Sequence, residues 1–414
     1  MLDLQFLRDN SEAVKRMSKL KGYEVDIDRL LELDVQRRAR ETQVGELRRR
    51  RNELAEQLKS GKPSEEQIGE GKQLKEEIAA REAEAKSMDE EFTDLWQSIP
   101  NVIPDDTPEG GEEANRPEKH WGDPREDDVQ DHLAWGEERG LIDFERGAKV
   151  AGAKFYYLKG DLVQLELAVF QLGLTLATKY GFTPITVPHL VNTRTVQGTG
   201  FNAKGDEPQI YKVEGEDLNL IATAEIPITG YHADEIIDLQ NGPLLYVGLS
   251  PAYRMEAGAY GKHSKGLYRV HQFNKLEMYV FCKPEDSEQW HQKLVAFEEE
   301  LCQALEIPYQ LVRIAAGDLG MPAYKKFDIE YWSPADSSYR ELMSCSNVTD
   351  YQARRLNIRY RRADGKTEFV HTLNGTAAAF SRVAIALIEN HQTAEGTVSV
   401  PAALQPFMNG KSEI

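Results

Sequence analysis

The sequence contains only three cysteines, Cys282, Cys302 and Cys345, and none of them lies close to another along the chain. A disulfide framework or a structural zinc site would need closely spaced or paired cysteines. We therefore expect a reducing compartment and no zinc.

Long apolar runs and targeting signals are also missing. No stretch approaches the roughly 20 apolar residues of a membrane-spanning helix. The N-terminal sequence MLDLQFLRDN mixes both charges and has neither the apolar core of a signal peptide nor the Arg-rich, acid-poor composition of a transit peptide. The sequence therefore predicts a cytoplasmic protein that makes no contact with a membrane.

The commonest nucleotide-binding and metalloprotease motifs do not occur either. The chain has no GxxxxGK[ST], no GxGxxG after a predicted strand and no HExxH. His263, His271 and His371 lack the spacing of metal ligands, so we interpret them as sheet or loop residues. The two usual phosphate-binding loops are thus excluded.

Acidic residues outnumber basic ones, 69 to 50, which gives a formal net charge of −19. This total argues against nucleic-acid binding, because contacts to phosphates need Lys and Arg. Charges are screened over about 8–10 Å at cellular salt, however, so a local basic surface can override the total. The distribution of the bases along the chain therefore decides the question.

The first hundred residues show two stripes of core positions at spacings of three and four. The first stripe contains Leu33, Arg37, Arg40, Val44, Leu47, Arg51, Leu54 and Leu58. The second contains Leu74, Ile78, Arg81, Ala85, Met88, Phe92, Leu95 and Ile99. Between them, GKPSEE ends one helix and provides a Ser cap for the next. This pattern predicts an antiparallel coiled-coil hairpin over about 30–99, with helices roughly 45 Å long.

The two predicted helices differ in charge. Residues 34–59 carry eight Lys or Arg and five Asp or Glu, whereas residues 64–97 carry four and eleven. The run Arg48–Arg51 covers a full helical turn with positive charge. Solvated flanks of a coiled coil are the ordinary interpretation of such charges, and an RNA-contacting face is the alternative.

The remainder of the chain has a different pattern. Residues 102–150 are rich in Pro, Gly and acids and predict a linker. Beyond them, strands outnumber helices, so we predict an α+β fold, with an antiparallel sheet flanked by helices. The predicted domains are 1–103, with the hairpin, 104–150, the linker, and 151–414. The predicted helices are 162–180, 287–305 and 382–391, and the predicted strands are 182–190, 243–250, 267–282, 357–362 and 367–373.

One predicted strand carries side chains suited to a ligand. Alternation places Phe273, Lys275, Glu277 and Tyr279 on one face, opposite Leu276, Met278 and Val280. Phe273 and Glu277 would stand roughly 13 Å apart, about the length of an amino acid joined to AMP. A half-exposed sheet face with ion pairs is the alternative.

Arg254 and Glu256 end the preceding predicted strand, and a spacing of two would point both side chains the same way. An arginine donates two parallel hydrogen bonds to a phosphate or carboxylate. A salt bridge on a wet sheet face is again the ordinary alternative.

Five segments together resemble the seryl-tRNA synthetase family of the bacterial type, within class II of the aminoacyl-tRNA synthetases. They are TAE at 223–225, YRMEAG at 253–258, LYRVHQFNKLEMYVF at 267–281, RELMSCSN at 340–347 and HTLNGTAAAFSR at 371–382. The resemblance extends over essentially the whole chain, including the N-terminal arm. It implies a ligase that activates L-serine with ATP and transfers it to the 3′-end of tRNA-Ser, with tRNA-Sec as a further acceptor.

The resemblance also implies roles for matching residues. The catalytic residues would be Arg254, Glu341 and Arg382. The serine-binding residues would be Thr223, Ala224, Glu225, Glu277 and Thr376. The ATP-binding residues would be Arg254, Met255, Glu256, Val270, Phe273, Glu341, Leu342, Met343, Ser344 and Arg382. Mg²⁺ bound with ATP would be held by Glu341 and Ser344, and tRNA by Arg37, Arg40, Arg48, Arg49, Arg50 and Arg51.

The family likeness further implies a homodimer formed through residues 162–188. The loop bases Lys262, His263 and Lys265 would approach the acceptor end of tRNA, and mobile solvated charges are the equally weighted alternative. Two local features stand out. Glu341 and Ser344 are three residues apart, so both can face one ligand only if a bulge or strand end lies near Met343. The family is often glycine-rich where this chain has TAAAFS at 376–381, which puts the backbone contact to ATP there in doubt.

Two rival functions share parts of this pattern. An amino-acid–carrier-protein ligase resembles the catalytic half but lacks the arm, so residues 30–99 argue against it. A non-catalytic coiled-coil RNA-binding adaptor would have lost Arg254, Glu277 or Glu341, and all three are present.

Overall fold

A computed structural model of the chain describes residues 1–58, 64–201, 210–256 and 265–414, apart from the side chain of Glu84. The described residues form two compact units, Met1–Pro100 and Asn101–Ile414. Lys262 and His263, predicted near the tRNA end, lie outside the described residues.

The first unit is helical. Its helices are α1 (Leu4–Asp9), α2 (Ser11–Leu20), α3 (Ile27–Leu58) and α4 (Glu65–Ser98). Ser64 caps α4 as predicted: its hydroxyl accepts a hydrogen bond from the amide of Gln67, whose side chain accepts one from the amide of Ser64. Ion pairs join Arg29 to Glu91 and Arg50 to Glu70, so α3 and α4 run antiparallel, as predicted.

Eight of the sixteen predicted stripe positions are buried. The buried stripe positions are Leu33, Val44, Leu54, Leu74, Ile78, Ala85, Phe92 and Ile99. Arg37 contributes by placing its guanidinium 4.5 Å from the centre of the Phe92 ring. Arg51, although in the predicted stripe, is exposed, and Leu47 is only half-buried.

The second unit is built on a sheet whose strand order is β1-β10-β11-β12-β15-β9-β8-β4 within the described residues. Every pairing in it is antiparallel except that of β4 with β8. The predicted antiparallel α+β fold is therefore confirmed. The strands are β1 (Arg116–Trp121), β2 (Ile142–Asp143), β3 (Tyr157–Leu158), β4 (Thr183–Ile185), β5 (Leu190–Val191), β6 (Asn219–Leu220), β7 (Ile236–Ile237), β8 (Leu244–Tyr253), β9 (Gln272–Cys282), β10 (Tyr309–Arg313), β11 (Lys325–Ser333), β12 (Ser338–Thr349), β13 (Arg359–Arg361), β14 (Thr367–Phe369) and β15 (His371–Ala379).

Helices cover the sheet on both faces. They are α5 (His132–Glu138), α6 (Phe144–Ala151), α7 (Asp161–Lys179), α8 (Thr193–Thr199), α9 (Glu225–Tyr231), α10 (Ser287–Ala304), α11 (Tyr351–Leu356) and α12 (Phe380–Asn390). The larger core contains buried residues of α7, α10 and α12 together with Leu276, Met278 and Val280 of β9. Tyr279 and Phe281 pack in a second cluster with residues of α9 and α11. The alternation predicted for β9 is thus confirmed, and Glu277 shares the face of Tyr279.

Several predicted boundaries differ from the structure. The predicted strand from 267 begins only at Gln272, because Gly266–Tyr268 form a 3₁₀ turn. The predicted strand 182–190 is interrupted after β4, and the segment 104–150 contains β1, α5, β2 and α6.

By length and composition, α7 is a candidate membrane span, contrary to the expectation from the sequence. Leu162, Leu165 and Val169 nevertheless pack into the larger core. A core helix of a soluble protein meets the same criterion, so this finding carries no argument for a membrane.

Candidate active site

A cavity of about 540 Å³ lies where the end of β8 and the start of β9 meet β11, β12, β15 and the first turn of α12. Its volume is typical of a small-molecule site. Nine of the predicted site residues line it: Arg254, Glu256, Val270, Phe273, Glu341, Leu342, Ser344, Thr376 and Arg382. The nine predicted residues that meet in this cavity lie up to 128 positions apart in the sequence, from Arg254 to Arg382.

Arg254 directly follows β8, and its backbone is fixed by two contacts with His271. Its amide donates to the carbonyl of His271 at 2.9 Å, and its carbonyl lies 2.9 Å from Nδ1 of His271. Its guanidinium stands 5.3 Å from the centre of the Phe273 ring. A cation and an aromatic face are thus presented to the cavity side by side.

The predicted shared strand for Arg254 and Glu256 is wrong, because β8 ends at Tyr253. Glu256 lies beyond the strand and has a φ of 47°, in the left-handed region. Its carboxylate pairs with Arg269 at 2.7 Å. Both residues still line the cavity, but they do so from the irregular segment after β8 and not through strand alternation.

The opposite wall carries a tight ion pair. Nη1 of Arg382 lies 2.7 Å from a carboxylate oxygen of Glu341. Burial favours the neutral form of Glu341, but the charges of Arg382, Lys326 and Arg254 outweigh it and lower its pKa to about 2. Glu341 is therefore ionised at neutral pH.

A bulge in β12 aligns two oxygen-bearing side chains. Met343 pairs with Ile329 and Glu341 with Glu330, so Leu342 is an extra residue without an opposite on β11. Because this residue reverses the alternation, Glu341 and Ser344 both line the cavity, while Met343 packs in the core. The bulge predicted from the spacing of three is confirmed.

A buried polar cluster adjoins the cavity beyond Thr376. Glu277 lies opposite Thr376 in the pairing of β9 with β15 and forms an ion pair with Lys275, which lines the cavity. Burial raises the pKa of Glu277, and Lys275 opposes that rise. Thr223 hydrogen-bonds to the same carboxylate, so the acid has a cation and a hydroxyl as partners.

Glu225 begins α9 within the same cluster. Gln352 donates to its carboxylate at 2.7 Å and Asn374 at 3.2 Å. Burial, together with the nearby charge of Glu277, raises the pKa of Glu225 to about 7. Two buried carboxyl groups at this end of the cavity therefore provide negative charge and hydrogen-bond acceptors.

Of the remaining predicted residues, Ala224 packs in the second core cluster and Met255 is half-exposed beside Arg254. Other cavity residues were given no role by the sequence pattern; they are Phe201, Ala222, Tyr268, Arg269, Lys275, Gly320, Lys326, Ala379 and Ser381. Strand alternation places Lys275 on the same face as Glu277, so the sequence contained the signal needed to predict Lys275 as a cavity residue. Lys326 lies on β11, a strand that the sequence pattern did not reveal.

The alanines at 377–379 fit the backbone without strain. Thr376 to Ala379 are extended in β15, and Phe380 begins α12. Ala377 and Ala378 are buried in the larger core, while Ala379 lines the cavity. The methyl groups of Ala377 and Ala378 therefore contribute to core packing.

The arginine run of the arm has acidic partners. Arg48 pairs with Glu82 at 2.6 Å and Arg50 with Glu70 at 2.7 Å, both across the hairpin. Arg49 pairs with Glu46 on its own helix. Arg40 pairs across the hairpin with Asp89 at 2.5 Å. The side chains of Arg48, Arg49 and Arg50 nevertheless remain 56–67% exposed.

Among the described residues, no group of three or more His, Cys, Asp or Glu side chains is placed to hold a metal ion. Nδ1 of His271 faces a backbone carbonyl, and Nδ1 of His371 faces the hydroxyl of Ser287. His263 lies outside the described residues.

Comparison with known proteins assigns the chain first to a class. Residues 210–391 match the family model of the tRNA synthetase class II core domain (G, H, P, S and T). The antiparallel sheet and its cavity agree with that match, so the second unit is a class II synthetase core.

The particular family follows from the rest of the chain. Residues 1–103 match the model of the seryl-tRNA synthetase N-terminal domain. The chain is 45% identical to the serine–tRNA ligase of Dictyoglomus turgidum, over 100% of this chain and 99% of the relative. It is also 45% identical to that of Treponema denticola, over 98% of each. The chain belongs to the seryl-tRNA synthetase family.

Solved structures agree with this assignment. The seryl-tRNA synthetase from Pyrococcus horikoshii complexed with ATP superposes with a TM-score of 0.91 at 40% identity, covering 100% of this chain and 99% of that one. The cytoplasmic serine–tRNA ligase from Naegleria fowleri in complex with AMP gives a TM-score of 0.86 at 33% identity, covering 100% and 98%.

Proposed function

We propose that the protein is a serine–tRNA ligase, which activates L-serine with ATP to seryl-adenylate and transfers serine to the 3′-end of tRNA-Ser. One observation carries the proposal. Phe273 and Arg254 line the cavity with the guanidinium 5.3 Å from the ring centre, and the buried carboxylate of Glu277 lies farther along β9, opposite Thr376 of the cavity wall. A stacking ring, a phosphate-binding cation and an ammonium-binding acid match the three parts of an aminoacyl-adenylate.

At the nucleotide end, Phe273 stacks on adenine, and Glu256 with the backbones of Met255 and Val270 contacts the base. Arg254 binds the α-phosphate. On the opposite wall, Arg382 binds the γ-phosphate, with Leu342 and Met343 offering backbone groups. The serine carboxylate attacks the α-phosphorus, and because it is already an anion, no protein base is needed. The chain contributes orientation and neutralisation of charge.

Glu341 and Ser344 are the residues that would hold Mg²⁺ together with the ATP phosphates. Their oxygen atoms face the same cavity, and the carboxylate is ionised. One carboxylate and one hydroxyl, completed by phosphates and water, form a donor set suited to Mg²⁺ rather than to zinc. The ion would neutralise phosphate charge there.

At the serine end, Glu277 and Glu225 bind the ammonium group, and Thr223 and Thr376 contact the serine side chain and its hydroxyl. Ala224 shapes the wall. A site that hydrogen-bonds a hydroxyl rejects alanine because its own buried polar groups would then lack partners. A closely packed wall excludes the extra methyl of threonine.

The N-terminal domain, residues 1–103 with its hairpin at about 30–99, would bind tRNA. A linker at 104–150 would join it to the catalytic domain at 151–414. Arg37, Arg40 and Arg48–Arg51 would contact tRNA phosphates. Exposed ion pairs are weak, so Arg48 and Arg50 can exchange Glu82 and Glu70 for phosphates at little cost. tRNA-Sec would be a second candidate acceptor, and the enzyme would act in the cytoplasm.

A homodimer through residues 162–188 is supported by apolar residues that face outward. Val163 and Leu167 of α7 are 38% and 63% exposed, and Val150 and Tyr157 nearby are 69% and 45% exposed. Clustered exposed apolar side chains on a soluble protein are typical of an association surface. A second copy placed here by a two-fold axis would cover the same residues on both chains.

Amino-acid-dependent ATP–pyrophosphate exchange tests the proposal. Purified protein should exchange pyrophosphate with serine and Mg²⁺, and not with the other nineteen amino acids. Exchange with none of them would favour a non-catalytic RNA-binding adaptor. Preference for alanine or threonine would overturn the serine assignment, and acylation of a carrier protein instead of tRNA would favour a carrier-protein ligase. Sedimentation of the same sample should give twice the mass of one chain.

A further inference from the structure

Most of the cationic side chains around the cavity form an ion pair with an acidic residue on the same side of the cavity. Arg269 pairs with Glu256, Arg382 with Glu341 and Lys275 with Glu277. Lys326 and Asp328 form a further pair, at 2.9 Å, to which neither the sequence pattern nor the proposed function gives a role.

We propose that Lys326 binds the terminal phosphates of ATP and the pyrophosphate that leaves from them. This inference rests on the proposed function and adds a binding residue to the same site. Lys326 lines the cavity, and its side chain is 20% exposed, so its ammonium group is accessible to a ligand.

The position of Lys326 indicates that it contacts the phosphate end of ATP. On the sheet, Lys326 and Asp328 lie opposite Ser346 and Ser344 of β12. Lys326 and Glu341 line the same cavity, so one ligand there can contact both side chains. Phe273 and Glu277 belong to β9, and β15 and β12 separate that strand from β11. The ammonium group therefore belongs with Arg382, Glu341 and Ser344.

The chemistry at this wall needs a cation. When the serine carboxylate oxygen bonds to the α-phosphorus, the bond from that phosphorus to the oxygen bridging to the β-phosphate breaks. The bridging oxygen keeps the electron pair, and pyrophosphate leaves with the added negative charge. Because a lysine ammonium has three donors, Lys326 would donate hydrogen bonds to these oxygens while it keeps its ion pair with Asp328. No proton transfer is required.

The adjacent lysine provides a matched control. Lys325 has a side chain that is 17% exposed, pairs with Glu288 at 2.7 Å and lies on the same strand, but it does not line the cavity. The two lysines thus lie on the same strand, are similarly exposed, and each pair with one carboxylate. They differ in the face of the sheet that they occupy.

The test compares Lys326→Met, Lys325→Met and Lys326→Arg in ATP–pyrophosphate exchange at saturating serine and Mg²⁺. Loss of a hydrogen bond to a charged group is expected to raise KM for pyrophosphate and for ATP about tenfold or more in Lys326→Met. KM for serine and Kd for AMP, which has no terminal phosphates, should stay within twofold. Lys326→Arg should restore most of the affinity, and Lys325→Met should resemble the wild type.

Two results would overturn the inference. One is an unchanged KM for pyrophosphate in Lys326→Met, and the other is an equal weakening of AMP and ATP, which indicates a general distortion of the site. Thermal unfolding of both Met variants measures any shared loss of stability. Failure of the wild type to exchange with serine would instead reject the proposed function, so the two failures are distinguishable.

Discussion

The arm and the catalytic unit both contain ion pairs of arginine or lysine with carboxylates, but the pairs differ strongly in solvent exposure. In the arm, Arg48 and Glu82 have side chains that are 56% and 49% exposed. In the catalytic unit, Lys275 and Glu277 are 10% and 1% exposed. Exposed pairs contribute little and exchange partners readily, whereas breaking a buried pair leaves an uncompensated charge. The same kind of ion pair is thus replaceable in one unit and structural in the other.

The largest expected effect comes from removing Arg254, a half-buried cation of the cavity. Arg254→Gln should lower kcat/KM for serine-dependent exchange about 10³-fold, because a charge-stabilising donor to the reacting phosphate is removed. Arg359→Gln is the control, since Arg359 also lies over an aromatic ring, Phe369 at 4.2 Å, but outside the cavity. Comparable losses in both variants would show that stacking, rather than phosphate binding, is what matters.

Next comes the pH dependence of stability that arises from Glu225. Its folded pKa of about 7 lies above the ordinary 4.5, so the folded state holds the proton more tightly than the unfolded state does. Its contribution is fully present below about pH 4.5 and is lost as the pH rises through about 7, by at most about 3 kcal/mol. Glu225→Gln should therefore flatten the decline in unfolding free energy between pH 5 and 8.

Urea unfolding at four pH values measures this effect. Glu216→Gln, at an exposed position, is the control and should follow the wild type. If the curve of Glu225→Gln runs parallel to that of the wild type, the raised pKa of Glu225 is wrong.

A smaller effect is expected when the arm loses its bases. Replacing Arg48–Arg51 by Gln should raise KM for tRNA about tenfold or more at 150 mM salt and leave pyrophosphate exchange unchanged. The dependence of KM on salt should become shallower by roughly one unit of log–log slope for each phosphate that the arm no longer neutralises. Lys72→Gln, on the acidic helix and 78% exposed, is the control. An equal decrease in charging and exchange would indicate misfolding.

The smallest effect concerns one exposed pair. Glu70→Gln removes the partner of Arg50 and should change the free energy of unfolding by less than about 1 kcal/mol in urea titrations. Because Arg50 then has one competitor fewer for phosphate, KM for tRNA should stay the same or fall by up to about twofold. A destabilisation above about 2 kcal/mol would mean that arm pairs are structural after all.

Strong periodicity explains what the sequence could predict. The amphipathic patterns of α7, α10 and α12 are long enough to identify each helix within one or two residues of its bounds. Alternation in β9 assigned Phe273, Lys275 and Glu277 to one face, and the spacing of Glu341 and Ser344 required the bulge that β12 contains. These features depend on local geometry alone.

Other features depend on distant contacts and were not predictable from local pattern. β10 and β11 were not identified, so Lys326 and Asp328 were not assigned to the cavity. The left-handed backbone conformation of Glu256 and its ion pair with Arg269 are not indicated by any strand pattern. Which acid meets which arginine in the arm depends on the register between two helices, which composition does not give.

The extra residue at Leu342 has a consequence for how this region can vary. A spacing of three in a regular ladder would turn one of Glu341 and Ser344 away from the cavity, so drawing Leu342 into the pairing with β11 would separate the two groups. Deletion of Leu342 would instead leave a spacing of two, which keeps both groups on the cavity side without a bulge. We therefore expect a relative that lacks one residue between these two positions to have a regular strand here.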